Sequence, residues 1–283
     1  MNLEIKEKIN RLIRDYYRWG QNNFLPENHK VADEEKNKQT VLFWLEEEVR
    51  PFKNTALTLI ASIQPILLDL IFQLPDEEKS RFFARIDPSS LSKSSESILE
   101  KMVRNWSPDK GPPSLSFDNF RNELKDLGRF RIVTNFLSDM GLIKKKLENP
   151  YGSDGQSLTA NQRKLKEYFL LQNNQFEDLI HLQPDHRNRG ERCYKGIFYP
   201  RSHEFSLYKI EVQIQTQLQE AWDKKDHFLV YEPRRRGEKL DPTVTIEMFS
   251  MSELLYVADL TFDRLKKRIE ENREKETIHA IQR

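Results

Sequence analysis

Between Lys209 and His227 the chain changes its period. Ile210, Val212 and Ile214 alternate with Glu211, Gln213 and Gln215, the two-residue repeat of a strand with one apolar and one polar face. After Thr216 the apolar positions become Leu218, Ala221, Trp222 and Leu229, which is helical spacing. A strand carrying a carboxylate and two amides therefore runs directly into a helix over 217–231 that contains Asp226-His227.

Elsewhere the pattern is mostly helical. Ile5, Ile9, Leu12, Ile13 and Tyr16 share one face of a helix over 3–19. Helical patterns follow across 33–50 and 54–73, with a short helix near 76–85. The Ser-rich segment 87–97 predicts a loop in which Ser94 or Ser95 caps the helix containing SILEKMVRNW. Residues 107–118 predict loop, FDNFRNELKDL (117–127) a helix or turn, 129–136 a strand and 137–148 a helix. Beyond a loop, KLKEYFLLQ (164–172) predicts helix, 183–192 irregular chain, and 193–199 and 207–216 strands. After a turn and the short apolar piece VTIEMF, Ser250 and Glu253 form a capping box. That box opens a last helix whose stripe is Leu254, Ala258, Phe262, Leu265 and Ile269. Helices, then strands mixed with helices, then helices predict an α+β or α/β centre with helical extensions. The divisions fall at 1–80, 81–240 and 241–283.

Composition narrows the setting more than the chemistry. The 283 residues hold 46 basic and 45 acidic side chains, so net charge selects neither a nucleic-acid binder nor an acidic tail. Basic runs at 144–146, 187–192, 234–236 and 266–268 are read first as solvated faces. Cys193 is the only cysteine, which excludes an intrachain disulfide and a cysteine-based zinc site and fits a reducing compartment. The N-terminus lacks an apolar signal core. The longest apolar stretch, 55–72, contains Gln64, Pro65 and Asp69, so a buried helix pair or kinked helix is expected there rather than a membrane span. The expected setting is cytoplasmic.

No GxxxxGK[ST], GxGxxG, HExxH or GxSxG occurs, and there are nine glycines. Any nucleotide must then be held mainly by side chains, with Lys and Arg on phosphates and carboxylates on magnesium. Two acids stand beside strands for that purpose, Asp126 and Glu211.

The wording around these acids is similar to that of a known family. DLGRFRIV (126–133), EVQIQT (211–216), AWDKKDH (221–227), KSSESILEKM (93–102) and CYKGIFY (193–199) resemble motifs of the RelA/SpoT-type alarmone synthetases. SMSELLYVADLTFDRL (250–265) is similar to the trailing helix of the small members. The resemblance implies a mixed sheet of about five strands flanked by helices, of nucleotidyltransferase type. It implies a pyrophosphokinase that moves the β,γ-pyrophosphate of ATP to the 3′-hydroxyl of GDP or GTP, with Mg2+ as cofactor. Some toxic small relatives instead modify the 3′ end of tRNA, and a catalytically silent nucleotide- or partner-binding relative is a third alternative. Small members also form homo-oligomers.

By position, Asp126 and Glu211 match the magnesium-binding and catalytic carboxylates. Lys93, Ser97 and Lys101, four residues apart, are placed on donor phosphates, with Arg131 in a phosphate or structural role. Tyr194 matches the tyrosine that stacks the acceptor base, Gln213 is expected at the acceptor, and His227 is expected to support. Trp222 is read as packing and Cys193 as inert. The sequence departs from the family pattern at Leu91, Phe198, Gln215 and Lys224. The first three changes are expected to thin out polar contacts in the nucleotide region. The larger members' hydrolase His-Asp pair has no counterpart here, since no His-Asp dipeptide occurs.

Overall fold

In the computed structural model the described residues are 3–23, 34–79, 81–104, 106, 114–152, 157–181, 190–235 and 238–281. Arg187, Arg189 and Arg236 of the basic runs lie outside them. The chain opens with α1 (Leu3–Asn23), α2 (Glu34–Gln73) and the one-turn α3 (Asp76–Lys79). Next come β1 (Ala84–Asp87), α4 (Ser95–Arg104), the one-turn α5 (Phe120–Glu123), β2 (Gly128–Thr134) and α6 (Leu137–Glu148). Then follow α7 (Ala160–Tyr168), β3 (Phe169–Leu171), β4 (Glu177–Asp178), β5 (Tyr194–Pro200) and β6 (Ile210–Thr216). The chain ends with α8 (Gln217–Asp226), a π-helical turn His227–Tyr231, α9 (Glu232–Arg235) and α10 (Pro242–Ile281).

The sheet has six strands in the order β1-β2-β6-β5-β3, with β4 also paired to β5. It is mixed: β2 and β6 run parallel, and every other pairing is antiparallel. Arg129 lies opposite Glu211, Arg131 opposite Gln213, and Lys195 opposite Gln213 from the other side. Because successive side chains alternate between faces, this register puts the charged and amide residues of three strands on one face. The other face carries Phe130, Ile132, Ile210, Val212, Ile214 and Phe198, all buried under α2, α6 and α7.

The two helical patterns expected over 33–50 and 54–73 are one helix. Val41, Leu45, Val49, Phe52, Ala56, Leu59, Ile63, Ile66 and Leu70 are all buried at spacings of three and four. The stripe runs past Pro51 without a break, so burial on both sides of the proline outweighs the hydrogen bond it removes. The helix is long and apolar enough to cross a membrane, yet it spends this stripe on the sheet and on α1 and α4.

Three further differences have local causes. Strands β1, β3 and β4 are two to four residues long, too short to show alternation, and β3 continues a helical-looking run. The last helix starts eight residues before the expected capping box. Asp241 accepts from the Thr243 N–H at 2.9 Å and Pro242 follows it, a stronger start signal than Ser250. Ser250 lies mid-helix, its Oγ donating to the Ile246 carbonyl, and Glu253 pairs with Arg192. Finally, the apolar stripe of α10 faces outward. Leu254, Phe262, Leu265 and Ile269 are exposed, while Ser252 and Asp259 are buried against the fold.

Candidate active site

On the polar face of the sheet lies a cleft of about 550 Å³. Its floor is β2, β6 and β5, which supply Arg129, Arg131, Glu211, Gln213 and Lys195. One wall is Lys93 with α4. That helix buries Ile98, Leu99, Met102 and Val103 against α1 and α2, which leaves Ser97, Lys101 and Arg104 facing the cleft. Ser94 accepts from the Ser97 N–H at 3.3 Å and caps the helix. The opposite wall is α8 and its π-helical extension, with Trp222, Asp223, His227 and Tyr231.

Asp126 sits between the wall and the floor. Lys93 Nζ lies 2.5 Å from its Oδ2 and Lys101 Nζ 3.7 Å from its Oδ1. Burial alone would raise this carboxyl, but Lys93, Lys101 and Arg129 together hold it below the ordinary aspartate value. Its Oδ1 is buried with no hydrogen-bond partner. Glu211 behaves oppositely. Burial pushes its carboxyl up, Lys195 pulls it back, and Asp126 and Glu191 add to the rise. Two neighbouring carboxylates are thus driven apart in proton affinity, a pattern that marks functional sites.

Gln213 is the hub of the floor. Its Nε2 donates to Glu211 Oε1 at 2.9 Å and to Glu191 Oε1 at 3.0 Å. Its Oε1 accepts from Arg131 Nε at 3.2 Å, and Arg131 Nη2 reaches Asp223 Oδ2 at 2.5 Å. Lys195 pairs with Glu191 at 3.1 Å. Burial disfavours its charge, but Glu211 and Glu191 more than restore it and raise its pKa.

The fold therefore gathers Lys93, Ser97, Lys101, Asp126, Arg131, Glu211, Gln213 and His227 in one cleft. His227 makes no hydrogen bond to Glu211. It stacks on Tyr231 at 4.9 Å and faces Glu232 at 3.6 Å. Tyr194 is elsewhere. It pairs with Ile214, on the core face, where Lys144 stands over its ring at 5.4 Å. Its neighbour Lys195 takes the cleft side, because adjacent strand residues point opposite ways. Lys195 is the one charged side chain of that strand, which was the signal for it. Arg104, Lys125, Glu191 and Tyr231 had no motif to mark them, and Arg129 stood inside DLGRFRIV without being singled out. Trp222 is buried, with Nε1 donating to the Met248 carbonyl at 2.7 Å. Burial raises the Cys193 thiol well above its ordinary value, so it stays protonated.

The departures from the family pattern fall differently from expectation. Phe198 is buried in the apolar core on the side away from the cleft, whereas Leu91, also in that core, borders a groove shared with Ser97, Arg129 and His227 of the cleft. Gln215 is also buried and is not a lining residue, and its Nε2 has no hydrogen-bond partner. Arg85 is committed to Glu220 through a bidentate pair at 2.8 and 3.0 Å. Lys144, Lys146 and Lys266 of the basic runs pair with Glu148, Gln73 and Asp139.

No family model matches the sequence, and a search of curated proteins finds no match. Solved structures do match. Small alarmone synthetase 1 from Bacillus subtilis superposes with a TM-score of 0.54 at 18% identity, covering 80% of this chain and 97% of that one. The fold is that of the small alarmone synthetases. A GTP pyrophosphokinase family protein from Streptococcus pneumoniae agrees at TM-score 0.53 and 17% identity, over 82% and 96% of the two chains. The B. subtilis synthetase 1 has also been solved with its product pppGpp and with AMPCPP. The alarmone-synthetase fold thus spans nearly all of those chains. It includes the mixed sheet that places Glu211 and Asp126 together here.

Proposed function

We propose that this protein is a nucleotide pyrophosphokinase that transfers the β,γ-pyrophosphate of ATP to the 3′-hydroxyl of GDP or GTP. The observation that carries this reading is the single cleft holding both signs of charge. Asp126 and Glu211 stand in it together with Lys93, Lys101, Arg129, Arg131 and Lys195. Pyrophosphoryl transfer needs cations on the triphosphate and carboxylates for a metal and a proton. The pppGpp and AMPCPP bound by the B. subtilis synthetase support a guanine nucleotide product and an ATP-like donor. ATP and GTP as substrates fit a cytoplasmic setting.

Magnesium fits the donor set. Among the described residues no three His, Cys, Asp or Glu side chains gather as a protein-only metal cage. Magnesium asks for less, one or two carboxylates plus substrate phosphates. Asp126, whose buried Oδ1 has no hydrogen-bond partner, and Glu211 are the residues that would hold it. When bound it neutralises phosphate oxygens. The remaining work belongs to the chain. Lys93 and Lys101 exchange Asp126 for the donor phosphates, and Arg131 orients Gln213 at the acceptor ribose. Glu211 takes the 3′-hydroxyl proton as the oxygen attacks the β-phosphorus. The α,β-bridging bond breaks and AMP leaves, so ATP and GDP give AMP and the 3′-diphosphate.

With Tyr194 on the core face, Tyr231 is the base platform. It lines the cleft between His227 and Arg104, whose guanidinium stands 5.7 Å from its ring centre. Stacking contributes about 1–3 kcal/mol per base. Tyr231→Ala should therefore raise KM for one nucleotide about 10-fold or more and leave kcat nearly unchanged. Steady-state kinetics with each nucleotide varied in turn measures this.

The reaction is tested with γ-labelled ATP, Mg2+ and either GDP, GTP or total tRNA. Label on a guanine nucleotide, with one AMP formed per transfer, is the expected result. Label on tRNA would move the acceptor to an RNA 3′ end. Absence of transfer to any of the three overturns the assignment as an enzyme.

A further inference from the structure

The inward face of α10 is polar. Ser252, Asp259 and Lys266, seven residues apart, turn toward the fold. Ser252 Oγ donates to the Gly190 carbonyl at 2.5 Å, and Asp259 Oδ2 accepts from Thr216 Oγ1 at 2.7 Å. Lys266 Nζ reaches the buried Asp139 at 2.7 Å. These bonds fix the helix on the chain entering β5, on the end of β6 and on α6.

The closest packing is at residues 190–192. Gly190 has a φ of +80°, a left-handed conformation that glycine takes without strain. A Cβ there would lie 3.0 Å from the Trp222 ring and 3.2 Å from Ser252 Cβ. Two residues on, Arg192 is 5% exposed. Its Nη2 donates to Glu253 Oε2 at 2.7 Å and its Nη1 to the Ile180 carbonyl at 2.5 Å. Its guanidinium lies 3.9 Å from the centre of the Tyr256 ring. An ion pair, a hydrogen bond and a cation–π contact thus converge on one buried cation.

Glu191, between these two anchored residues, faces the cleft. Its Oε1 accepts from Gln213 Nε2 at 3.0 Å and its Oε2 pairs with Lys195 Nζ at 3.1 Å. Glu191 precedes β5, so the sheet ladder does not fix it. Its neighbours do.

We propose that Arg192 is a positioning residue, pinned by Glu253 and Tyr256 of α10 so that Glu191 stays on Gln213 and Lys195 at the acceptor side of the cleft. That the side so held receives the acceptor rests on the pyrophosphokinase reading; the latch itself does not. The donor lysines, Lys93 and Lys101, stand on the wall formed with α4, so opening the latch acts on one substrate and not on both.

Arg192→Ala would strip a buried cation and take a donor from the Ile180 carbonyl, so the latch is better opened from its more exposed end. Glu253→Ala with Tyr256→Leu should raise KM for GDP about 10-fold or more, in the range that misplacing a positioned group costs, with KM for ATP unchanged. Glu253→Ala alone carries the same test where the pair does not fold. Tyr256→Phe keeps the ring and should match the wild type. In a Glu191→Ala background the latch changes should add nothing further, because the group they act through is gone. Deuterium exchange reads the latch without turnover. The amides of 190–196 should exchange faster when it is opened, with those of β2 and β6 unchanged. A wild type that transfers nothing to GDP or GTP, while those amides still loosen, removes the pyrophosphokinase reading and keeps the latch. Unchanged exchange at 190–196 overturns the latch. So does a KM that rises equally for both nucleotides, or a full further loss in the Glu191→Ala background, since either shows a general structural role.

Discussion

Glu211→Gln is expected to lower pyrophosphoryl transfer by about 1,000-fold, in the range that general-base catalysis contributes, while the protein stays folded and binds nucleotide. The substitution keeps shape and hydrogen-bonding reach, so Gln213 retains a partner for its 2.9 Å bond. What it removes is the negative charge and the proton acceptor. Glu211 is the carboxylate whose surroundings favour holding a proton, through burial and the nearby Asp126 and Glu191. It is the second residue of β6, the strand that lies between β2 and β5. No other carboxylate on the floor of the cleft occupies that position. Single-turnover transfer, measured beside equilibrium binding of AMPCPP, separates the two effects. Transfer at the wild-type rate would remove Glu211 from the mechanism, and loss of both binding and the thermal transition would make the residue structural.

The floor of this cleft was legible in the sequence because a strand writes its two faces in alternate letters. Alternation alone assigns Glu211 and Gln213 to one face, and parallel pairing with β2 brings Arg131 beside them. The same rule, applied between strands, was where Tyr194 failed. Alternation tells which residues of one strand share a face but not which face meets the neighbour's polar side. That is set by register, and the Lys195–Gln213 pair fixes it. Phe198 fell on the core face for the same reason, since motif columns carry residue types without their direction. The helix α10 shows a different limit. Its apolar stripe was visible, but periodicity cannot say whether a stripe faces the chain's own core or something else. Three buried polar contacts decided that. Arg129 shares the alternation of Arg131 on β2, whereas Glu191 and Arg104 reach the cleft from a loop and a helix end, where no periodic signal exists.

The second large effect concerns the pair on which the wall of the cleft closes. Lys93 is buried and its Nζ lies 2.5 Å from Asp126. Removing one member of a buried pair leaves the other uncompensated, at a cost of about 3–5 kcal/mol. Asp126 keeps some solvent contact, so about 2–3 kcal/mol is expected for Lys93→Met at neutral pH. Replacing both, Lys93→Met with Asp126→Asn, should recover most of that loss, because no charge is then left stranded. The sign of the pH dependence follows from the depressed Asp126 carboxyl. In the wild type its contribution is complete above the unfolded value of about 3.9. It is lost as pH falls through the lower folded value. In Lys93→Met the main depressing partner is gone and burial dominates, so the deficit against wild type should shrink on acidification. Urea titrations in chelator at neutral and mildly acidic pH measure both. A deficit that stays the same on acidification would show that Lys93 stabilises through packing alone. Catalysis then divides what stability joins. The double variant regains the fold but has neither the cation for donor phosphates nor the carboxylate for the metal, and its transfer activity should stay lost.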